Sequence, residues 1–161
     1  MKSYSSGYSD MEELKLILIV GPTASGKTAA SIYAAIKLNG EIVSADSIQV
    51  YKGMDIGSAK PTMQERQGIP HHLMDAIDIN SPKFSVAEFR KMAGEAIEDI
   101  AGRGKQPIVV GGTGLYINSL VFPLNFTEVQ SDEKLRSELS EIEERQGRGT
   151  LHAMLQEEDP E

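Results

Sequence analysis

Leu16-Ile-Leu-Ile-Val-Gly-Pro-Thr-Ala-Ser-Gly-Lys-Thr28 is the stretch that decides the fold of this chain. Its first five residues have the length and the branched side chains of a buried β-strand. The strand leads directly into Gly21-x4-Gly26-Lys27-Thr28, in which the glycines let successive backbone N–H groups point into one concavity. Together with the positive end of a following helix, this pattern is typical of a phosphate-binding loop. The alternative is a plain glycine turn between strand and helix.

The loop predicts a phosphorylated ligand without specifying which one. Lys27 adds a point charge for phosphate oxygens, and the hydroxyl of Thr28 suits an octahedral Mg²⁺ ion. We therefore expect Mg²⁺ as a cofactor, with Thr28 as its protein ligand. The predicted cradle consists of Gly21, Pro22, Thr23, Ala24, Ser25, Gly26, Lys27 and Thr28.

Length and composition indicate an ordinary soluble protein without disulfides. The chain has 161 residues, 40% of them hydrophobic, and it contains no Cys, which is typical of a reducing compartment. No apolar run approaches the roughly 20 residues that a membrane-spanning helix needs. Residues 1–12 lack the apolar centre of a signal peptide and predict a flexible leader. We expect a cytoplasmic monomer with no membrane contact.

The negative charge is concentrated at one end of the sequence. The formal net charge is −8, which by itself disfavours nucleic acid as a partner. Residues 131–161 hold four Lys and Arg against ten Asp and Glu, so the remainder is close to neutral. A local basic face on that remainder stays compatible with binding to phosphates.

A carboxylate follows the second predicted strand. Residues 28–38 predict a helix, and Glu41–Ala45 predicts a short strand, so that a right-handed parallel unit is expected. Asp46 comes directly after this strand. Ligands of open parallel sheets bind beyond the carboxyl ends of the strands, which places Asp46 on the same edge as the phosphate loop. It is predicted to act as a base or to hold Mg²⁺; the alternative is that it only caps a turn.

A second glycine-rich turn follows a later strand. Ser85 and Glu88 form the pattern of a capping box, which begins an amphipathic helix that ends at Gly102. Residues 107–110 predict a buried strand that runs into Gly111-Gly-Thr-Gly-Leu-Tyr116. This turn supplies further backbone donors at the predicted edge. The strand lacks the Mg²⁺-binding Asp of many nucleotide hydrolases, which weakens an ordinary ATPase or GTPase interpretation.

The segment between Asp46 and Ser85 is harder to assign. Residues 52–72 contain several Gly and Pro and predict a long irregular connection, which in a compact domain is more often functional than idle. Residues 73–79 weakly predict a strand. His71 and His72 are adjacent and lack spaced partners, so a hydrogen-bonding role is favoured over a zinc site.

The sequence divides into a leader, a core and a helical segment. Residues 13–125 form the predicted P-loop α/β core. Residues 126–161 predict a helical segment, in which Ser131 caps a helix that reaches Gln146 and Gly147 lies past its end. The chain ends soon after an amphipathic helix, so we expect this segment to be truncated.

Three segments together resemble the tRNA dimethylallyltransferase family. The second of them is long and close to diagnostic, whereas the phosphate loop is shared with many nucleotide enzymes. The segments are Gly21-Pro-Thr-Ala-Ser-Gly-Lys-Thr28, Asp46-Ser-Ile-Gln-Val-Tyr-Lys-Gly-Met-Asp-Ile-Gly-Ser-Ala-Lys-Pro61 with Pro70-His-His-Leu73, and Val110-Gly-Gly-Thr-Gly-Leu-Tyr116. The resemblance implies a P-loop NTPase-like open parallel sheet with helices on both faces, plus the start of a helical tRNA-binding portion.

The resemblance also implies an activity and its residues. Members transfer a dimethylallyl group from dimethylallyl diphosphate to N6 of the adenosine next to the anticodon in tRNA, and release diphosphate. Lys27 and the phosphate loop would hold the diphosphate, Asp46 would act as the base, and Thr113 would contact the leaving group. The implied tRNA-contacting residues are Asp46, Ser47, Ile48, Gln49, Thr113 and Arg136.

Family members are expected to be about twice as long as this chain and to complete the site with later residues. By this comparison, the chain alone is expected to be inactive or weakly active on tRNA. Three alternatives stay open: an isopentenyltransferase acting on free adenine nucleotide, an ATP-dependent small-molecule kinase, and a nucleotide-dependent interaction module without chemistry.

Overall fold

A computed structural model describes residues 15–81, 84–123 and 132–159 of the chain. The predictions made for the leader and for Ser131 lie outside these ranges. The chain divides into two compact units, Met1–Asn125 and Phe126–Glu161. The two units are described separately.

Within the described part of the first unit, four strands form one sheet. They are β1 (Ile17–Val20), β2 (Gly40–Ala45), β3 (His71–His72) and β4 (Gln106–Gly111). The strand order is β1-β4-β2-β3, and every pairing is parallel. β2 is buried along its full length, as expected of a strand covered on both faces of a parallel sheet. The predicted parallel sheet is confirmed.

Helices cover both faces of this sheet, as predicted. They are α1 (Lys27–Leu38), α2 (Val86–Gly102) and α3 (Gly114–Val121). Side chains of α1 pack on Ile42 and Ile108, whereas α2 and α3 pack on Val43 and Val109. Consecutive residues of a strand point to opposite faces, so β2 and β4 each contribute to two separate apolar clusters.

Local signals place the helices where the sequence predicts them. Ser85 and Glu88 form the capping box of α2, since the Ser85 backbone N–H donates to Glu88 Oε2 at 2.7 Å and the Glu88 N–H donates to Ser85 Oγ at 3.2 Å. Asn39 ends α1 in the left-handed conformation with φ 51°, a common way to terminate a helix. α2 and α3 are joined by stacked rings of Phe89 and Tyr116, whose centroids are 4.1 Å apart.

The predicted strand over residues 73–79 is wrong. Leu73 and Asp75 have φ values of 58° and 55°, which no regular strand accommodates. Within the described residues, this segment pairs with the rest of the chain through an isolated bridge between Tyr51 and Ile77. The strand lies just before it instead, where His71 and His72 pair with Ile42 and Val43.

The second unit contains two helices in its described part, α4 (Glu133–Gln146) and α5 (Thr150–Glu158). Asp132 caps α4, because its side chain accepts a hydrogen bond from the Leu135 N–H at 2.9 Å. Gly147 follows the helix as predicted. In the described ranges of the whole chain, no helix combines the length and the apolar character that crossing a bilayer requires.

Candidate active site at the carboxyl ends of the strands

Three neighbouring strands end side by side. Gly111 at the end of β4 pairs with Val20 of β1 and with Ala45 of β2. The next residues along the chain therefore leave the sheet at one edge: Gly21 of the phosphate loop, Asp46, and Gly112 of the second glycine-rich turn. The structure thus brings together the two turns and the carboxylate that the sequence separates by up to 90 residues.

Two glycines allow this close approach. A Cβ atom built at Gly111 would lie 2.1 Å from the Ala45 carbonyl oxygen, a distance that no side chain tolerates. A Cβ atom at Gly112 would lie 3.2 Å from the Gly21 carbonyl oxygen. The ends of β2 and β4 are therefore too close for any side chain at Gly111, whereas a side chain at Gly112 would require a shift of a few tenths of an ångström between the two turns.

The phosphate loop keeps the beginning of α1 open. Gly26 is the N-cap residue, with φ 84°, and it provides no side chain to cap the helix. The first N–H groups of α1 are thus left for an anion, which the helix dipole also favours. The Lys27 ammonium donates a hydrogen bond to the Pro22 carbonyl oxygen, so it stays within the loop.

Asp46 caps a turn and also faces a cavity. Its Oδ1 accepts hydrogen bonds from the Ile48 N–H at 2.9 Å and the Gln49 N–H at 3.1 Å. These two bonds fix the orientation of the carboxylate, and among the described residues Oδ2 has no hydrogen-bond partner. Asp46 therefore caps a turn through one oxygen, and its predicted role as a base or metal ligand stays a prediction.

Thr113 is held against Ser47 at the same edge. Its Oγ1 accepts a hydrogen bond from the Ser47 N–H at 3.1 Å and lies 3.4 Å from the Ser47 hydroxyl. The Thr113 N–H donates to the Ala45 carbonyl oxygen at 3.4 Å. The second glycine-rich turn is thereby joined to the segment that carries Asp46.

A cavity of about 520 Å³ lies between the phosphate loop and the irregular connection. Of the predicted site residues, six from the loop and two from the segment after β2 line it: Thr23, Ala24, Ser25, Gly26, Lys27, Thr28, Asp46 and Gln49. Five other predicted site residues of the first unit do not line the cavity, although each is within two positions of a residue that does: Gly21, Pro22, Ser47, Ile48 and Thr113. Arg136 is exposed on α4 of the second unit.

Sequence reasoning missed the opposite wall of the cavity. Ser58, Ala59, Glu65 and Gln67 line it and belong to the irregular connection. Gln49 holds this wall in place, since its Nε2 donates to the carbonyl oxygens of Ser58 at 3.0 Å and Ala59 at 3.2 Å. The unusual length of the connection was the signal for a functional segment, but no local pattern identified its individual residues.

The adjacent histidines have separate hydrogen-bonding roles. His71 Nδ1 donates to the Ile69 carbonyl oxygen at 2.8 Å, and His72 Nε2 lies 2.7 Å from Glu41 Oε2. Burial lowers the pKa of His71 and outweighs the opposing effect of its hydrogen bond to Ile69. The two imidazoles are thus engaged with different parts of the sheet.

Fold and site together define a phosphate-binding α/β protein of the P-loop class. The family model described as IPP transferase matches residues 49–161. The chain belongs to the IPP transferase family. It is 53% identical over 151 residues to a tRNA dimethylallyltransferase of an Exiguobacterium species, an alignment that covers 94% of this chain and 48% of that relative.

Solved structures give the same likeness. The full-length tRNA isopentenylpyrophosphate transferase from Bacillus halodurans superposes with a TM-score of 0.69 at 47% identity, over 92% of this chain and 49% of that one. A eukaryotic dimethylallyltransferase acting on tRNA gives a TM-score of 0.70 at 36% identity, over 91% and 36% of the two chains. The chain spans about half the length of the curated relatives it matches.

Proposed function

We propose that the protein transfers a dimethylallyl group from dimethylallyl diphosphate to N6 of the adenosine next to the anticodon in tRNA, and releases diphosphate. The observation that carries the proposal is the cavity of about 520 Å³ that the phosphate loop and Asp46 line together. Its volume is in the range of about 300–1,000 Å³ typical of small-molecule sites. The names of the curated relatives support this activity.

The phosphate loop would stabilise the leaving group. As the bond between the allylic carbon and the diphosphate oxygen breaks, negative charge grows on the diphosphate. The open N–H groups at the beginning of α1 and the Lys27 ammonium are suited to bind that charge. Because these donors are fixed before the reaction, they need little reorganisation.

Asp46 would act as the general base. The N6 amine attacks the allylic carbon, and its proton passes to Oδ2 of Asp46 as the new N–C bond forms. N6 is a poor nucleophile since its lone pair is delocalised into the ring, so removal of the proton in the transition state lowers the barrier. The two hydrogen bonds to Oδ1 would keep the carboxylate aimed while it takes the proton.

The residues present are compatible with Mg²⁺ bound through substrate. Among the described residues, no three His, Cys, Asp or Glu side chains form a metal-binding group. Mg²⁺ is usually held by one or two protein ligands together with phosphate oxygens and water, and the Thr28 hydroxyl lines the cavity. Bound there, the ion would neutralise charge on the departing diphosphate.

The tRNA would approach over the segment that follows β2. Ser47, Ile48 and Gln49 lie at the carboxyl end of the strand, and Ile48 is 45% exposed. The Thr113 hydroxyl holds Ser47 in position by accepting a hydrogen bond from the Ser47 N–H. Thr113 would also contact the diphosphate, and Arg136 would contact tRNA. A splayed-out base of an RNA loop can be recognised on its edges in such a pocket.

The test is a transfer assay with the complete gene product. Labelled dimethylallyl diphosphate is incubated with tRNA that lacks the modification, and separately with AMP. We expect label in tRNA only. A tRNA with guanosine in place of the target adenosine should take up no label. Label in AMP alone would indicate a nucleotide-directed isopentenyltransferase.

If ATP displaces dimethylallyl diphosphate with tenfold higher affinity, about 1.4 kcal/mol, the protein is a kinase instead.

A further inference from the structure

The cavity wall opposite the phosphate loop is built from strained backbone. Ala59 and Gln67, which line the cavity, have φ values of 51° and 50°. Leu73 and Asp75, near the end of the same connection, have φ values of 58° and 55°. Left-handed conformations of this kind cost of the order of 1–3 kcal/mol each and persist only where the surroundings enforce them.

A single buried ammonium ties this connection together. The Lys60 side chain is 4% exposed, and its Nζ donates to the Tyr51 carbonyl oxygen at 3.1 Å, to Asp55 Oδ1 at 2.9 Å and to Asp75 Oδ1 at 2.6 Å. These three partners use the three N–H donors of the ammonium. Tyr51 and Asp55 lie at the beginning of the connection and Asp75 lies just past its end, so one atom joins positions 24 residues apart.

The charge on Lys60 is maintained inside this cluster. Burial alone would lower the pKa of Lys60, but its hydrogen bonds and charge interactions with Asp55 and Asp75 outweigh this effect, and the pKa is raised. Arg66 adds a weaker interaction with Asp75 at 3.7 Å. Lys60 does not present its ammonium at the surface, so its role is not that of a surface cation for RNA phosphates.

Lys60 directly follows the two wall residues that Gln49 holds. Ser58 and Ala59 are thereby fixed on one side by the Gln49 amide and on the other by the Lys60 ammonium. We propose that Lys60 is a positioning residue: its three hydrogen bonds hold the Ser58–Ala59 wall at the distance from the phosphate loop that the reacting groups require. This inference rests on the proposed function.

The small net stability that a buried charge cluster provides points to a second role for Lys60. A buried charge cluster is commonly no more stabilising than apolar side chains of similar volume. A cluster that instead enforces strained residues at a cavity wall provides geometry, and a displacement of about 1 Å at such a wall can reduce a rate by about 10²-fold. The expected signature of Lys60 is thus a change in kcat and in local opening of the connection.

The experiment compares Lys60→Met with Lys52→Met in the complete gene product. Lys52 is an exposed lysine of the same connection, so it controls for loss of charge. Amide hydrogen exchange is measured for the hydrogen-bonded amides of Tyr51, Ala76 and Ile77, next to the Lys60 partners, and for β2 and β4, together with the dissociation constant for dimethylallyl diphosphate and kcat for transfer to tRNA. Asp75→Asn serves as a milder variant that removes one partner charge and keeps the lysine.

For Lys60→Met we expect exchange of the Tyr51, Ala76 and Ile77 amides to rise about tenfold or more while β2 and β4 stay protected. Donor affinity is expected within about twofold of the parent, and kcat lower by about ten- to a hundredfold. Asp75→Asn should change exchange and kcat in the same direction by a smaller factor, and Lys52→Met should change neither.

Three outcomes would overturn the inference: unchanged exchange at Tyr51, Ala76 and Ile77, exchange that rises equally in β2 and β4, or raised local exchange with parental kcat. The exchange measurement does not depend on the substrate. If the parent protein transfers no prenyl group to tRNA, the proposed function fails, and the local exchange of the Lys60→Met variant still decides whether the ammonium holds the wall.

Discussion

Two carboxylates at opposite ends of one strand have opposite surroundings. Glu41, near the beginning of β2, is 3% exposed in its side chain and is bound by Arg103, Lys105 and His72. Each of these contacts is 2.7 Å long. Asp46, just beyond the end of the strand, accepts hydrogen bonds from two backbone N–H groups and lines the large cavity.

The difference separates a carboxylate buried in an ion-pair cluster from the one proposed to act as the base. Hydrogen bonds from the Arg103 guanidinium, against the opposing effect of burial, hold the pKa of Glu41 well below its ordinary value, with Lys105 and His72 adding to the shift. Both of its oxygens are occupied, so it cannot take a proton from a substrate. Asp46 has one oxygen fixed by two N–H groups and, among the described residues, one without a hydrogen-bond partner, which is compatible with the proposed general base.

The largest expected effect is the loss of transfer on Asp46→Asn. Asparagine keeps an oxygen that accepts the Ile48 and Gln49 N–H groups, so the turn should persist while the basic oxygen is lost. We expect kcat to fall by about 10²-fold or more, with unchanged affinity for dimethylallyl diphosphate. Steady-state transfer to tRNA and donor titration measure the two quantities.

Asp78→Asn is the matched control for this variant. Asp78 also caps a turn, since its Oδ1 accepts the Asn80 N–H at 2.9 Å, and it does not line the large cavity. Its substitution should leave transfer unchanged. If Asp46→Asn weakens donor binding as much as it slows transfer, Asp46 serves the metal and diphosphate rather than the amine.

The second prediction concerns Glu41→Ala. Removal of this side chain leaves Arg103 and Lys105 without their shared anion, but both are more than one-third exposed and regain water. We therefore expect the free energy of unfolding to fall by about 3 kcal/mol, the low end for breaking a buried ion pair. Denaturant unfolding monitored by circular dichroism provides the measurement.

The comparison predicts that transfer per folded molecule survives Glu41→Ala. Glu98→Ala is its control, because Glu98 is an exposed residue of α2 whose substitution should change stability by less than about 0.5 kcal/mol. If Glu41→Ala lost much of its kcat under conditions in which the variant is fully folded, the two ends of β2 would not be independent.

A smaller effect is expected for Lys27→Ala. In the proposed mechanism, the Lys27 ammonium would bind the diphosphate both before and during bond cleavage, whereas Asp46 would act only as the proton moves. Donor affinity should fall by about tenfold, equivalent to 1.4 kcal/mol, and kcat should fall as well. Competition with inorganic diphosphate measures the affinity.

Lys37→Ala, on the same helix, is the control for Lys27. Its ammonium lies 5.7 Å from the centre of the Tyr33 ring and outside the large cavity. Donor binding by this variant should equal that of the parent. If Lys27→Ala instead bound dimethylallyl diphosphate as tightly as the parent protein, the phosphate loop would not be the diphosphate site of the proposed mechanism.

The sequence predicts the edge that carries Asp46 because its signals are local. The glycines after β1 and β4, the capping box at Ser85 and the run of branched residues each act within a few positions of themselves. The parallel sheet then brings their ends together by a general rule of topology. This is why residues as distant as Lys27 and Asp46 could be expected at one cavity.

The environment of Glu41 could not be predicted in this way. Arg103 and Lys105 are more than 60 positions away, and nothing near any of the three marks them as partners. The same limit applies to the cavity wall at Ser58 and Ala59, whose position depends on hydrogen bonds to Lys60 and Gln49. Long-range contacts of single side chains carry no periodic pattern, so sequence spacing does not reveal them.

The smallest expected effect is a pH dependence that belongs to Glu41 alone. The pKa of Glu41 in the folded protein lies below the ordinary value of 4.5, so as pH falls the unfolded chain binds the proton first. The stabilisation from Glu41 is therefore present above pH 4.5 and is lost as pH falls towards the folded pKa. Between pH 4.5 and 3.5, this residue should account for a loss of about 1 kcal/mol in the free energy of unfolding. Denaturant unfolding of the parent and of Glu41→Gln at both pH values isolates the contribution, since all other carboxylates are shared. The stability difference between the two proteins should shrink by that amount at the lower pH, and an equal difference at both values would mean that the pKa of Glu41 is the same in the folded and unfolded protein.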